Sequence, residues 1–178
     1  APSRVGRDHQ LDRGSSGGDA GADRRTKLDV IMEVRCASPF DISQIAAALV
    51  LMHREAEFDL APINSHTLMA TVNNTIHNGV VLVAVDEGRV VGTIGGTTGR
   101  DWWSDDEYFS DLWFYVSPKA RASRAAILLI KKFVSEIRSG FPRHKIRLGH
   151  VFSGDIARKD KFFERLGLTK AGSLFMEA

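Results

Sequence analysis

From residue 33 onward the apolar positions of the chain alternate between the period of a strand and the period of a helix. Residues 33–36 read as a short strand. Asp41 then stands before Ile42, Ile45, Leu49 and Met52, a helical stripe with a helix-start residue in front. Ser65 is the expected cap of a second helix carrying Leu68, Val72 and Ile76, closed by Asn78-Gly79. Residues 80–85 and 90–95 flank Asp86-Glu87-Gly88-Arg89 and read as a hairpin. An acidic loop is expected at 102–107, and a β-rich run at 112–116 is closed by Ser117-Pro118. Over 121–139, Ile127, Ile130, Val134 and Ile137 keep a helical period that Gly140 and Pro142 end. A strand at 146–152, a helix at 155–166 and a last strand at 172–176 complete the pattern. The alternation predicts one α/β domain, a mixed sheet with helices on both faces.

Composition changes this picture in one place. Residues 1–27 hold five glycines and no aromatic residue, too little apolar surface to offset the entropy of ordering. The expected organisation is a flexible leader over 1–31 and a single domain over 32–178, with Met32 just before the first strand. The 178 residues are 43% hydrophobic and 26% charged, ordinary for a globular domain. The lone Cys36 excludes a disulfide framework and a cysteine zinc cage; on a strand it reads as a small buried residue. His53, His66 and His77 lack metal-ligand spacing, so no metal is expected. No apolar run approaches the roughly eighteen residues of a membrane span, and no secretory signal is evident. A cytoplasmic protein is the expectation.

The formal charge of +2 hides an uneven division. Residues 28–116 carry 4 basic and 13 acidic side chains, and residues 117–170 carry 14 basic and 4 acidic. Either solvated faces are unevenly sampled, or the C-terminal half meets a polyanion, nucleic acid or a phosphate-rich cofactor. The basic residues lack interleaved stacking aromatics, which argues against nucleic acid.

The chemistry concentrates where the 112–116 run meets the long helix. Ala122, Ser123, Ala125 and Ala126 are small, and the backbone amides at a helix start are unpaired and electropositive. Phosphate suits such a site, and Arg121 and Arg124 add charge.

These residues resemble the GNAT superfamily of acetyl-CoA-dependent N-acetyltransferases. Its cofactor motif, Arg/Gln-x-x-Gly-x-Gly/Ala after a strand ending Val-x-Pro, has counterparts in Val116-Ser117-Pro118 and Arg121-x-x-Arg124-x-Ala126. The likeness extends to small phage and prophage GNAT proteins through several further segments. They are Trp102-Trp103-Ser104-Asp105-Asp106, Asp111-Leu112-Trp113-Phe114-Tyr115-Val116, Arg121-Ala122-Ser123-Arg124-Ala125-Ala126, Ser153-Gly154-Asp155 and Phe162-Phe163-Glu164-Arg165-Leu166-Gly167. It covers residues 33–178 and implies a mixed, mostly antiparallel twisted sheet of six to seven strands with about four helices.

The resemblance implies acetyl transfer from acetyl-CoA to an amine. The backbone of Trp113, Phe114, Tyr115 and Val116 would pair with the pantetheine arm. Residues 121–126, Ser153 and Phe163 would complete the cofactor site. Asp111 would be the general base, His150 a proton relay, and Ser153 a partner of cofactor or leaving sulfur. Glu55, Trp102 and Trp103 would line the acceptor site. Plainer readings stand beside these: a surface aspartate, a strand histidine, a turn serine, a surface salt bridge and loop packing. Three departures matter. Arg124 and Ala122 replace usual glycines, and Phe163 replaces a tyrosine that protonates the leaving thiolate. They favour an alternative, a binding or structural module without turnover, whose partner would be a second copy of the chain or a phage particle.

Overall fold

The computed structural model describes residues 32–56, 59–149 and 155–172. The expected leader, His150, Ser153 and all but the first residue of the expected last strand lie outside the described residues. Within them the elements are β1 (Glu33–Cys36), α1 (Ile42–Arg54), α2 (Ser65–Asn78), β2 (Val80–Asp86), β3 (Arg89–Arg100), β4 (Glu107–Val116), α3 (Ala125–Gly140), β5 (Lys145–Arg147) and α4 (Ile156–Arg165). The five strands form one sheet in sequence order, antiparallel except for the β4–β5 pair. The expected sheet was larger, with six to seven strands; five are found among the described residues.

β2 shows why the sheet has helices on both sides. Its run is buried on both faces, Leu82 and Ala84 against α3, Val81 and Val83 against α1 and α2. The α3 side holds Phe109, Leu129, Phe133 and Ile137, with Phe162 and Phe163 of α4 and the following Leu166 packed over it. The opposite side holds Ile45, Leu49, Val72 and Trp113. The β2–β3 turn places Glu87 and Gly88 at positive φ, 48° and 75°; this is the turn twist that a two-residue hairpin requires.

Several boundaries differ from the sequence reading for local reasons. β3 and β4 run on to Arg100 and Glu107, because their ladder continues through glycines and threonines that carry no hydrophobic alternation. α2 is capped by Asn64, whose side chain accepts the Thr67 N–H at 3.0 Å, rather than by Ser65. Asp41 precedes α1, yet its carboxylate turns back to Ser38 (2.8 Å to N, 2.9 Å to Oγ) and to both arms of Arg35 (2.8 and 2.9 Å). The Arg35 guanidinium, helped by Ser38, holds this buried carboxyl at about 2. Cys36 is exposed rather than buried, because it ends an edge strand. No described helix is long and apolar enough to cross a membrane.

Candidate active site

The centre of β4 is irregular, and the irregularity is built by its neighbour. Gly95 of β3 stands opposite Trp113 and Gly96 stands opposite Asp111, so Leu112 is the extra residue of a bulge. The Trp113 indole lies across Gly95, where a Cβ would sit 2.2 Å from Cζ2. Its Nε1 donates to Thr93 Oγ1 at 3.2 Å inside the core. At Gly96 a Cβ would meet Ser110 O at 2.3 Å. Both glycines are therefore required by close approach. Leu112 is half-exposed, while Trp113, Tyr115 and Val116 are buried.

On its other edge β4 parts from β5 at the same level. The parallel ladder runs Tyr108–Lys145, Phe109–Ile146, Ser110–Arg147, and ends there among the described residues. Beyond it the Gly149 N–H donates to Asp111 Oδ1 at 2.8 Å. Between residues 112 and 116 β4 thus pairs with β3 on one side and, among the described residues, with no strand on the other.

At the end of β4 the chain enters a short 3-10 turn, Pro118–Ala120, and α3 begins only at Ala125, four residues later than the periodicity suggested. Ser123 sets this start, its hydroxyl accepting the Ala125 N–H at 3.1 Å and donating to Ala120 O at 2.6 Å. The first backbone bond of the helix runs from Leu128 N to Arg124 O, leaving Ala126 and Ile127 in the orphan-donor turn of the helix. Ala122 and Arg124 are exposed, Ala125 is buried and Ala126 half-buried.

Arg121 is engaged at the end of β4. Its Nε donates to Val116 O at 3.0 Å, and its guanidinium pairs with Glu55 at the end of α1. The second Glu55 oxygen accepts the Tyr115 hydroxyl at 2.7 Å. Burial raises the Glu55 carboxyl, but the donors Arg121 and Tyr115 outweigh it and hold the group below its usual range. Burial, then the adjacent Glu55 carboxylate, push the Tyr115 phenol up to about 12. Sequence reasoning named Glu55, Tyr115 and Arg121 separately and missed the link between them, because nothing local relates positions 55 and 115.

The remaining candidates are dispersed. Phe163 is half-buried over the α3-side core, edge to face with Phe162 at 5.6 Å. Trp102 and Trp103, 91% and 66% exposed, meet edge to face at the β3–β4 connection. They lie beyond Glu107, itself about 13 Å of extended strand from Asp111, at the end of β4 opposite α3. Trp103 borders a surface depression of about 660 Å³ with Tyr108, His144 and Arg147. Asp101 and Glu107 of the acidic loop are engaged there: Asp101 takes Arg147 at 2.5 and 2.9 Å, Glu107 takes His144 at 3.1 Å and Arg100 at 3.4 Å. The donors Arg147 and His144 draw these two carboxyls below their usual ranges. No cluster able to hold a metal occurs among the described residues.

A mostly antiparallel sheet whose fourth strand is bulged, parts from a parallel fifth and feeds a helix N-terminus is the fold of the GNAT acetyltransferases. Solved structures bear this out. The chain is similar to an acetyltransferase of Trypanosoma brucei, with 18% identity over 83% of this chain and 99% of that one, and a TM-score of 0.61. It is similar to a predicted acetyltransferase of Clostridium acetobutylicum crystallised with acetyl-CoA, with 16% identity, 83% and 96% coverage, and a TM-score of 0.65. It is also similar to glucosamine-6-phosphate N-acetyltransferase of Arabidopsis thaliana, with 11% identity, 83% and 97% coverage, and a TM-score of 0.62. The sequence matches no family model and no curated protein.

Proposed function

We propose that this protein is an acetyltransferase that moves the acetyl group of acetyl-CoA to an amine. The observation that carries the reading is the site beside Asp111, where β4 bears a bulge, has no parallel neighbour among the described residues beyond Ser110 and leads into the α3 N-terminus. A pantetheine arm adds to the 112–116 edge as a strand would, and its phosphates meet the amides of Ala126 and Ile127. Ala122 and Ser123 leave room for them, and the exposed Arg124 supplies charge. With Arg121 engaged by Glu55 and Val116, Arg124 carries more of this role than the motif alone suggests.

Acetyl-CoA supplies the activated thioester. The amine nitrogen forms the new C–N bond to the carbonyl carbon as the C–S bond breaks. The amine proton passes to the Asp111 carboxylate, across a bridging water because aspartate is short. The thiolate takes its proton from solvent, since Phe163 has none to give. An amine is the acceptor that the acidic half of the chain favours, through long-range attraction of a cation.

A second reading, a cofactor-binding module without turnover, is supported by Phe163, which packs on the core and offers no acid. One experiment separates the two. Calorimetric titration with acetyl-CoA is expected to show binding, and no binding at millimolar cofactor refutes both readings. Acetyl transfer to a broad panel of amines is then expected, slowed in Asp111→Asn. Binding without transfer leaves the module, and an Asp111→Asn variant as fast as wild type removes Asp111 as base.

A further inference from the structure

The end of the β4–β5 ladder raises a question that a bulge alone does not answer. Two parallel strands already paired through Ser110–Arg147 gain by pairing further, because every additional N–H and C=O they bring together is satisfied at a spacing of about 4.8 Å. Something must take up the next β5-side donor when the strands separate. In this chain the donor is the Gly149 N–H, and its acceptor is the Asp111 side chain at 2.8 Å. A carboxylate oxygen thus stands where a β4 carbonyl would stand, and the two backbones are one side chain apart.

From this we infer that Asp111 is a positioning residue for the cofactor cleft: its side chain is the spacer that holds Gly149 off the β4 backbone and so keeps the edge of β4 beyond Ser110 open. The inference rests on the acetyltransferase reading only for what fills the cleft. The adjoining features fit the role. Leu112, next in sequence, is the extra residue of the bulge toward β3 and is half-exposed, so the regular course of β4 is interrupted at the level where the described ladder ends. Gly96, opposite Asp111, cannot be given a side chain without striking Ser110 O, so close packing of β3 on β4 fixes the level of Asp111 in the sheet. The spacer needs an accepting oxygen at the aspartate length, and it needs no negative charge.

That last point makes the role testable apart from proton transfer. Asparagine keeps the oxygen at the same reach, leucine keeps the bulk without an acceptor, and alanine removes both. Gly149 amide exchange by NMR, with thermal melts to verify folding, reads the spacer directly. Protection is expected to stay within about threefold of wild type in Asp111→Asn and to fall about tenfold in Asp111→Leu and Asp111→Ala. Acetyl-CoA affinity by calorimetry is expected to follow the same order. Unchanged protection in the leucine and alanine variants overturns the inference, as does an asparagine variant that falls with them. Lost protection with unchanged affinity overturns the positioning role. If wild type binds no acetyl-CoA, the functional reading fails, while the exchange arm still decides whether Asp111 is the spacer.

Discussion

Replacing Gly95 by alanine introduces a single methyl group under the Trp113 ring. The new Cβ would lie 2.2 Å from Cζ2, 2.5 Å from Cε2 and 2.7 Å from Cη2. Ordinary contact begins near 3.5 Å, so the indole must withdraw by more than an ångström from a site where it is 5% exposed. Inserting bulk into a packed core costs about 1–3 kcal/mol. Withdrawal also breaks the Nε1–Thr93 Oγ1 bond within the core, adding about 1 kcal/mol. The expected loss is about 3 kcal/mol, more than a hundredfold in the folding equilibrium, and read by urea denaturation as a lower midpoint at unchanged slope. Gly140→Ala is the control: nothing lies within 4 Å of its Cβ position, and the change should stay within about 0.5 kcal/mol. A Gly95→Ala loss below about 1 kcal/mol would refute the account of the bulge as a tryptophan seated on a glycine. The same displacement moves the strand that borders Leu112, so the variant should also bind acetyl-CoA more weakly than Gly140→Ala.

The other predictions concern single contacts. Asp41, held at about 2 by Arg35 and Ser38, has a folded pKa below its unfolded one. Its contribution, about 2 kcal/mol, is therefore present above pH ~4 and lost as pH falls toward 2, and Asp41→Asn should flatten that limb of the acid denaturation curve. Glu55→Gln removes the carboxylate that helps raise Tyr115, so ultraviolet titration in a Tyr108→Phe background should show the phenol ionising below about 12. A titration identical to the Tyr108→Phe parent would mean that burial alone sets it. Ser123→Ala removes the acceptor of the Ala125 N–H and should cost about 1 kcal/mol in denaturation; no loss would show the α3 start to be set elsewhere.

What the sequence disclosed follows from how far each determinant reaches along the chain. α1 was legible because Ile45, Leu49 and Met52 repeat within one helix, and β2 because Val81 to Ala84 are apolar on both faces. The outer halves of β3 and β4 were not, since Thr97, Thr98 and Gly99 pair through backbone alone and Ser110 and Asp111 interrupt the apolar run. The start of α3 lies later than the periodicity suggests because Ser123, a poor helix-interior residue just ahead of the apolar stripe, accepts the Ala125 N–H instead of continuing the helix. At the site, Asp111 stood out through its motif, but its partner Gly149 lies 38 residues away on a different strand connection. Glu55 and Tyr115 are 60 residues apart, and no period in the sequence joins them.

The uneven charge division also takes on a more specific meaning. Its acidic half contributes Glu55, Asp101 and Glu107, and each of these pairs with a residue of the basic half: Arg121, Arg147 and His144. Solvent-screened pairs of this kind explain little stability. Their effect is on availability. Arg121 and Arg147, which composition alone would offer to a polyanion, are already neutralised from the acidic side. Arg124 sits at the head of α3 and makes no ion pair among the described residues. A phosphate-rich ligand at the α3 start would therefore meet Arg124 and the helix amides rather than Arg121.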